Sequence, residues 1–155
     1  MPRTRPQPGD VIELPLAKGL AYAQYTHRHP RYGALLRILP GTYASRPNQL
    51  AALVAGSHRF QTFFPLGAAC ARGLVVIVGL YPIPDSCLHF PLFRTGVPDT
   101  RTGKVGDNWW LWDGEKEWRV GALNPEQRKY PIRGVVNDTL LAKRIESNWS
   151  PEGEA

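Results

Sequence analysis

The chain has little of what most quickly betrays a function. Two of its 155 residues are cysteine, Cys70 and Cys87, each beside apolar neighbours. A chain of this length buries a core without covalent staples, so a disulfide scaffold is excluded and two buried free thiols are expected. Long apolar runs are missing too. The longest, Leu74 to Leu80, falls well short of the roughly 20 residues that a membrane-spanning helix needs. No apolar stretch follows Met1-Pro2-Arg3-Thr4-Arg5-Pro6, so no signal peptide is expected. The expectation is a soluble, cytoplasmic chain with no membrane partner.

Catalytic and metal motifs are absent as well. No His-Glu-x-x-His, Cys-x-x-Cys or Gly-x-Ser-x-Gly occurs, which removes the commonest zinc and nucleophile-elbow sites. Gly103-Lys104-Val105-Gly106 follows no strand-to-helix switch and does not read as a phosphate loop. Cys70, between Ala69 and Ala71, reads as inert. His58 and His89 would have to converge in space to act as an acid/base pair, and no pattern points to that. No catalytic residue, cofactor or metal is assigned, and the chain reads as a non-enzyme.

What is present is turn chemistry, aromatics and scattered positive charge. Gly and Pro number 15 each, which argues for many short elements and a β-rich fold. Net charge is +6 with a pI near 9.6, but the Lys and Arg form no block, so the charge mainly predicts solubility. Residues 1–8 read as a disordered leader, 9–149 as a single globular domain and 150–155 as a flexible tail.

Val11 to Leu16 and Leu20 to His27 read as strands around a turn at Lys18-Gly19. Ile12, Leu14, Leu16, Ala21, Ala23 and Tyr25 then share one face, with Glu13, Gln24 and Thr26 on a solvated one. Thr26 to Gly33 reads as a polar loop, and Ala34 to Leu39 and Arg59 to Phe64 as strands. Pro47 to Ala55 reads as a short helix capped by Asn48 and closed by Gly56. Gly67 to Arg72 is ambiguous between a helical turn and a loop. Leu74 to Leu80 reads as a strand buried on both faces, and Leu88 to Arg94, with Pro91, as an edge strand. Gly96 to Asp107 reads as an exposed, mobile loop. Asn124-Pro125-Glu126 opens a one-turn helix, and Gly134 to Val136 is a short strand. Asn137 or Asp138 caps a helix to about Ser147 that docks through Leu140, Leu141 and Ile145. The fold class is therefore β-rich α+β: a bent antiparallel sheet or small SH3-like open barrel of roughly six to eight strands, with a C-terminal helix.

Four of the five tryptophans fall between Asn108 and Val120. Asp113-Gly114 sits between two runs of strand formers, the strongest short-range hairpin signal. Alternation gives a core-like face of Trp109, Leu111, Lys116, Trp118 and Val120. The opposite face carries Trp110, Trp112, Glu115, Glu117 and Arg119. Two readings of that second face stand. Either the C-terminal helix or the preceding loop covers it, or it is an exposed aromatic pair with a charged rim, suited to a protein partner. On the second reading Trp110, Trp112, Glu117 and Arg119 are the partner-binding residues. A competing site is His27-Arg28-His29 with Arg31, near Tyr22, Tyr25, Tyr32 and Arg37, where charge and stacking mix as in a small-barrel nucleic-acid binder.

Gly9-Asp10-Val11-Ile12-Glu13-Leu14-Pro15-Leu16, then Gly19-Leu20-Ala21-Tyr22-Ala23 and Tyr32-Gly33, resembles the opening of the immunity protein 26 family of bacterial polymorphic toxin systems. Val78-Gly79-Leu80-Tyr81-Pro82 and the late Trp-bearing strands are similar more loosely. The resemblance implies a β-rich, cytoplasmic, non-enzymatic protein that neutralises a cognate toxin by binding it, with no catalytic residues. With a +6 chain, such a toxin would be neutral or acidic where it is touched. The Gly-Asp-apolar opening is also similar to the small barrels of toxin–antitoxin endoribonucleases, but the Arg-Pro-apolar-Val strand that follows in those is missing here.

Overall fold

In the computed structural model, which describes residues 4–154, the strand patterns resolve into two antiparallel sheets. In the larger, β1 (Asp10–Leu16), β2 (Gly19–His29), β3 (Gly33–Ile38) and β4 (Phe60–Phe64) form a meander, and β5 (Val76–Leu80) returns to pair with β1. The smaller has the order β6 (Phe93–Gly96), β7 (Trp109–Trp112), β8 (Glu117–Gly121). Three short helices complete the chain: α1 (Leu50–Ala55), α2 (Leu66–Ala71) and α3 (Asp138–Glu146). The fold is β-rich α+β with a C-terminal helix, as expected, and neither sheet closes into a barrel.

Strand alternation sorts the core into layers. One face of the larger sheet carries Ile12, Leu14, Ala21, Ala23, Leu36, Ile38, Phe60 and Phe64, which pack on Leu66 and Cys70 of α2 and on Leu141 and Ile145 of α3. On the other face Val11, Tyr22 and Leu39 meet Leu50 and Val54 of α1. Further along that face Leu35 and Phe63 meet Phe93 and Trp112 of the smaller sheet. The larger sheet is thus covered on both sides. Glu13, Gln24 and Thr26, expected to face water, are buried. Buried polar groups need partners, and these have them. Glu13 accepts from the Tyr22 hydroxyl at 2.7 Å and from Arg46 Nε and Nη2 at 3.0 and 2.9 Å. Gln24 donates to the Tyr81 carbonyl at 3.0 Å and accepts from Arg37 Nε at 3.0 Å.

Several local expectations are corrected. The β1–β2 register joins Leu16 to Gly19, so the loop is Ala17-Lys18. The register slips by two residues and every side chain keeps its face. β2 runs to His29 through the stretch expected to be a polar loop, with a bulge between Tyr25 and His27. β5 is not doubly buried: it lies at a sheet edge, and Leu80 is 58% exposed. α1 begins at Leu50 without a side-chain cap, so Asn48 does not cap it. α3 is capped by Asn137, whose side chain accepts from Leu140 N at 2.8 Å. Leu141 and Ile145 are buried, whereas Leu140 is exposed. Residues 1–3 of the expected leader lie outside the described residues, and 4–8 contain no helix or strand. The expected flexible tail is tied down instead. Pro151–Gly153 forms a 3-10 turn, Pro151 is buried, and Arg94 donates to the Pro151 carbonyl. Cys70 and Cys87 are free and buried, as expected. No helix among the described residues is long and apolar enough to cross a membrane.

Candidate functional site

The Trp hairpin does form, but on a longer turn than Asp-Gly alone dictates. Trp112 pairs with Glu117, Leu111 with Trp118 and Trp110 with Arg119. Asp113 sets this register. Its carboxylate accepts from Glu115 N at 2.9 Å and Lys116 N at 2.8 Å, and its own N–H donates to the Lys116 carbonyl at 3.1 Å. Those backbone bonds hold the Asp113 carboxyl below its ordinary range. An Asx-type turn of this kind consumes four residues rather than two. The slip is again of two residues, so the faces assigned from alternation survive.

Their environments do not survive. Trp112, assigned to the recognition face, is 5% exposed and sits where the two sheets meet. Its ring lies 5.3 Å from Phe93, 5.1 Å from Tyr32 and 4.9 Å from His29, and the Arg133 guanidinium stacks over it at 5.4 Å. It is core, and it is withdrawn as a partner contact. Trp118, assigned to the core-like face, is 40% exposed. The reason is lateral position: β8 is the outer strand of the smaller sheet, so the layers that cover β6 and β7 do not reach it. Trp109 and Leu111, one strand inward, are buried.

Trp110, Glu117 and Arg119 lie at the same outer edge in a fixed network. Asn108 Oδ1 accepts from Trp110 Nε1 and from Arg119 Nε, both at 3.2 Å. Glu117 pairs with Arg133 at 2.8 Å. Trp110 is half-buried, and Glu117 and Arg119 are exposed. The β7–β8 edge therefore carries half-buried Trp110 with a bonded charged rim on one face and exposed Trp118 on the other. Sequence reasoning missed Trp118 because alternation reports the face of a strand and not its distance from the sheet edge.

The competing cluster is divided by the fold. His27 and His29 point at the smaller sheet: His27 Nε2 lies 2.9 Å from the Leu88 carbonyl, and His29 Nε2 lies 2.7 Å from the Gly114 carbonyl. His29 Nδ1 accepts from Arg31 N and Tyr32 N at 3.1 and 3.2 Å, which fixes Nε2 as the protonated nitrogen. His29 pins β2 to the turn between β7 and β8, and His27 pins it to the segment that leads into β6. Arg28 projects from the opposite side of β2 into a cleft of about 570 Å³ that it shares with Tyr25 and Tyr32. Arg31 is exposed and does not line that cleft. Tyr22 and Arg37 are buried outright. No single groove gathers these residues.

Two further observations concern chemistry. Cys87 Sγ lies 3.8 Å from His58 Nδ1, a loose contact in which burial and then the Arg37 charge lower the imidazole's proton affinity. No group of three or more His, Cys, Asp or Glu side chains among the described residues is placed to hold a metal ion. No family model, curated protein or solved structure matches this chain.

Proposed function

We propose that the chain is a protein-binding module of the immunity or antitoxin kind, which neutralises a cognate bacterial toxin by covering it. The observation that carries the reading is Trp118, an exposed indole on the outer strand β8 between exposed Glu117 and Arg119. Tryptophan and arginine are the residues in which binding energy concentrates, and a surrounding rim of satisfied polar groups excludes water from them. The contact surface on this reading is the β8 edge as a whole, with Trp118 on one face and Trp110, Glu117 and Arg119 on the other. The class of partner comes from the resemblance of residues 9–33 to immunity proteins. The rival reading, a nucleic-acid-binding or ribonucleolytic small barrel, loses His27 and His29 to the sheet–sheet junction and keeps only Arg28 and Arg31.

The test is capture followed by function. Wild type and Trp118→Ala are used as bait in lysate of the host cell, and the captured polypeptide is then expressed alone and with the bait in a heterologous cell. The reading expects a polypeptide that is toxic alone, harmless beside wild type, and not captured by a Trp118→Ala bait of unchanged melting temperature. Recovery of RNA or DNA by both baits, or a captured protein whose toxicity the chain does not relieve, overturns it.

A further inference from the structure

On the outer side of the smaller sheet lies a cleft of about 600 Å³, a volume that suits a small organic ligand. Three separate segments build it. Lys104 and Val105 come from the loop before β7, Arg94 and Trp109 from β6 and β7 themselves, and Leu123 and Arg128 from the segment after β8. Its chemistry is lopsided. Three cationic side chains line it, and the only carboxylate there, that of Glu154, accepts from Trp149 Nε1 at 2.8 Å.

Arg94 is the telling member. Its side chain is wholly buried, yet its guanidinium meets only carbonyl oxygens, those of Pro151 and Glu154. Its Nε has no hydrogen-bond partner among the described residues. Buried arginines ordinarily face a carboxylate, because an uncompensated interior charge is costly. Here the Trp109 ring lies 4.9 Å away, and Arg94 forms no ion pair among the described residues. Burial first, then the Arg128 charge, pushes the Arg94 guanidinium below its ordinary value, against a smaller opposing effect of the Glu154 charge, so a second cation is close enough to be felt. Among the described residues neither Arg128 nor Lys104 is engaged in an ion pair. Two guanidiniums and an ammonium thus line one cleft in which, among the described residues, the single carboxylate is that of Glu154, already engaged by Trp149.

We propose that this cleft is a binding site for a small phosphorylated ligand with an apolar body. The phosphate sits between Arg128, Lys104 and the Arg94 end of the cleft, and the body lies against Val105, Trp109 and Leu123. Convergent guanidinium forks match phosphate oxygens in geometry and in charge, and a dianion answers three cations better than a carboxylate does. The site is separate from the β8 surface, and its fate does not depend on the toxin-binding reading.

Phenyl phosphate is the probe, titrated into the intact chain and followed by two-dimensional amide NMR. Phenol and a short single-stranded oligonucleotide serve as the other arms. The Trp109 indole and the Val105 and Leu123 amides are expected to move saturably with phenyl phosphate and not with phenol. Loss of one charge-assisted contact is expected to weaken binding about tenfold or more in Arg128→Gln and in Lys104→Gln, and Lys143→Gln, on α3, to leave it unchanged. Arg128 and Lys104 are exposed, so both variants fold. The proposal is overturned by no saturable shift up to about 10 mM, or by an Arg128→Gln that binds as wild type. Tighter binding of the oligonucleotide at the same resonances overturns it in favour of nucleic acid.

Discussion

Glu13 shows what one buried carboxylate does to the stability of the larger sheet. Arg46 and, more weakly, the Tyr22 hydroxyl hold its carboxyl below the ordinary 4.5, against the opposing effect of burial. Burial first, then Glu13, pushes the Tyr22 phenol up to about 12 from its ordinary 10.0. The two groups limit stability at opposite ends of the pH scale. Glu13, lowered on folding, contributes fully above pH 4.5, and its contribution disappears as pH falls through the folded value. Tyr22, raised on folding, contributes fully below pH 10.0, and its contribution disappears as pH rises towards 12. Glu13→Gln is expected to be about 1–2 kcal/mol less stable at neutral pH and to lose less than wild type on acidification. Urea denaturation at a series of pH values checks this; parallel acid limbs for the two proteins would sink it. Arg37 and His29 teach a related lesson at the same scale. His29 looks solvated because its neighbours are polar and Arg37 because it alternates with Leu36 and Ile38, and each is turned inward because β2 and β3 are covered on both faces.

At the scale of elements, helix α3 offers the cleanest test of a local signal. Asn137 satisfies the Leu140 N–H, and Asn137→Ala is expected to cost about 1 kcal/mol. Chemical denaturation reads the loss, and Asn137→Asp is expected to recover most of it; equal stability of the alanine variant and wild type would show that the cap is idle. The Asn137 cap is legible in the sequence because it depends on three or four adjacent residues, although the same signal at Asn48 caps nothing. The faces of the two hairpins were legible for a comparable reason. Both registers are displaced by two residues, and an even displacement leaves every side chain on its side. What escaped was whatever depends on lateral neighbours. Leu74 to Leu80 is apolar enough for a central strand but was placed at an edge by the return of β5 to β1. Trp112 is core because its face of β7 packs on the larger sheet, and Trp118 is exposed because it lies on the opposite face, at the outer strand. Of the site residues, Trp110, Glu117 and Arg119 stay at the surface, and Trp118 becomes visible only once strand order is known.

For the molecule as a whole, the last residues act as a clasp. The Pro151 and Glu154 carbonyls accept from Arg94, and the Glu154 carboxylate accepts from Trp149. Removal of residues 150–155 strips a buried guanidinium of the oxygen partners it has among the described residues. It is expected to destabilise the protein by about 3 kcal/mol, read as a lowered denaturation midpoint, with the Trp109 indole resonance displaced. A truncated chain as stable as the full one would show that the tail is ornamental.

The order in which the layers are laid down bears on how the protein is made. β1 to β4 are contiguous and can pair as soon as they leave the ribosome, since local contacts form early. α2, which follows β4 directly, covers part of their helix-side face through Leu66 and Cys70, and Leu141 and Ile145 of α3 cover the rest only much later in the sequence. Until α3 docks, part of the apolar surface formed by Leu14, Ala23, Leu36 and Phe60 is therefore left uncovered. Docking of α3 is the event that seals that surface, so the larger sheet is finished only after the smaller one has been made.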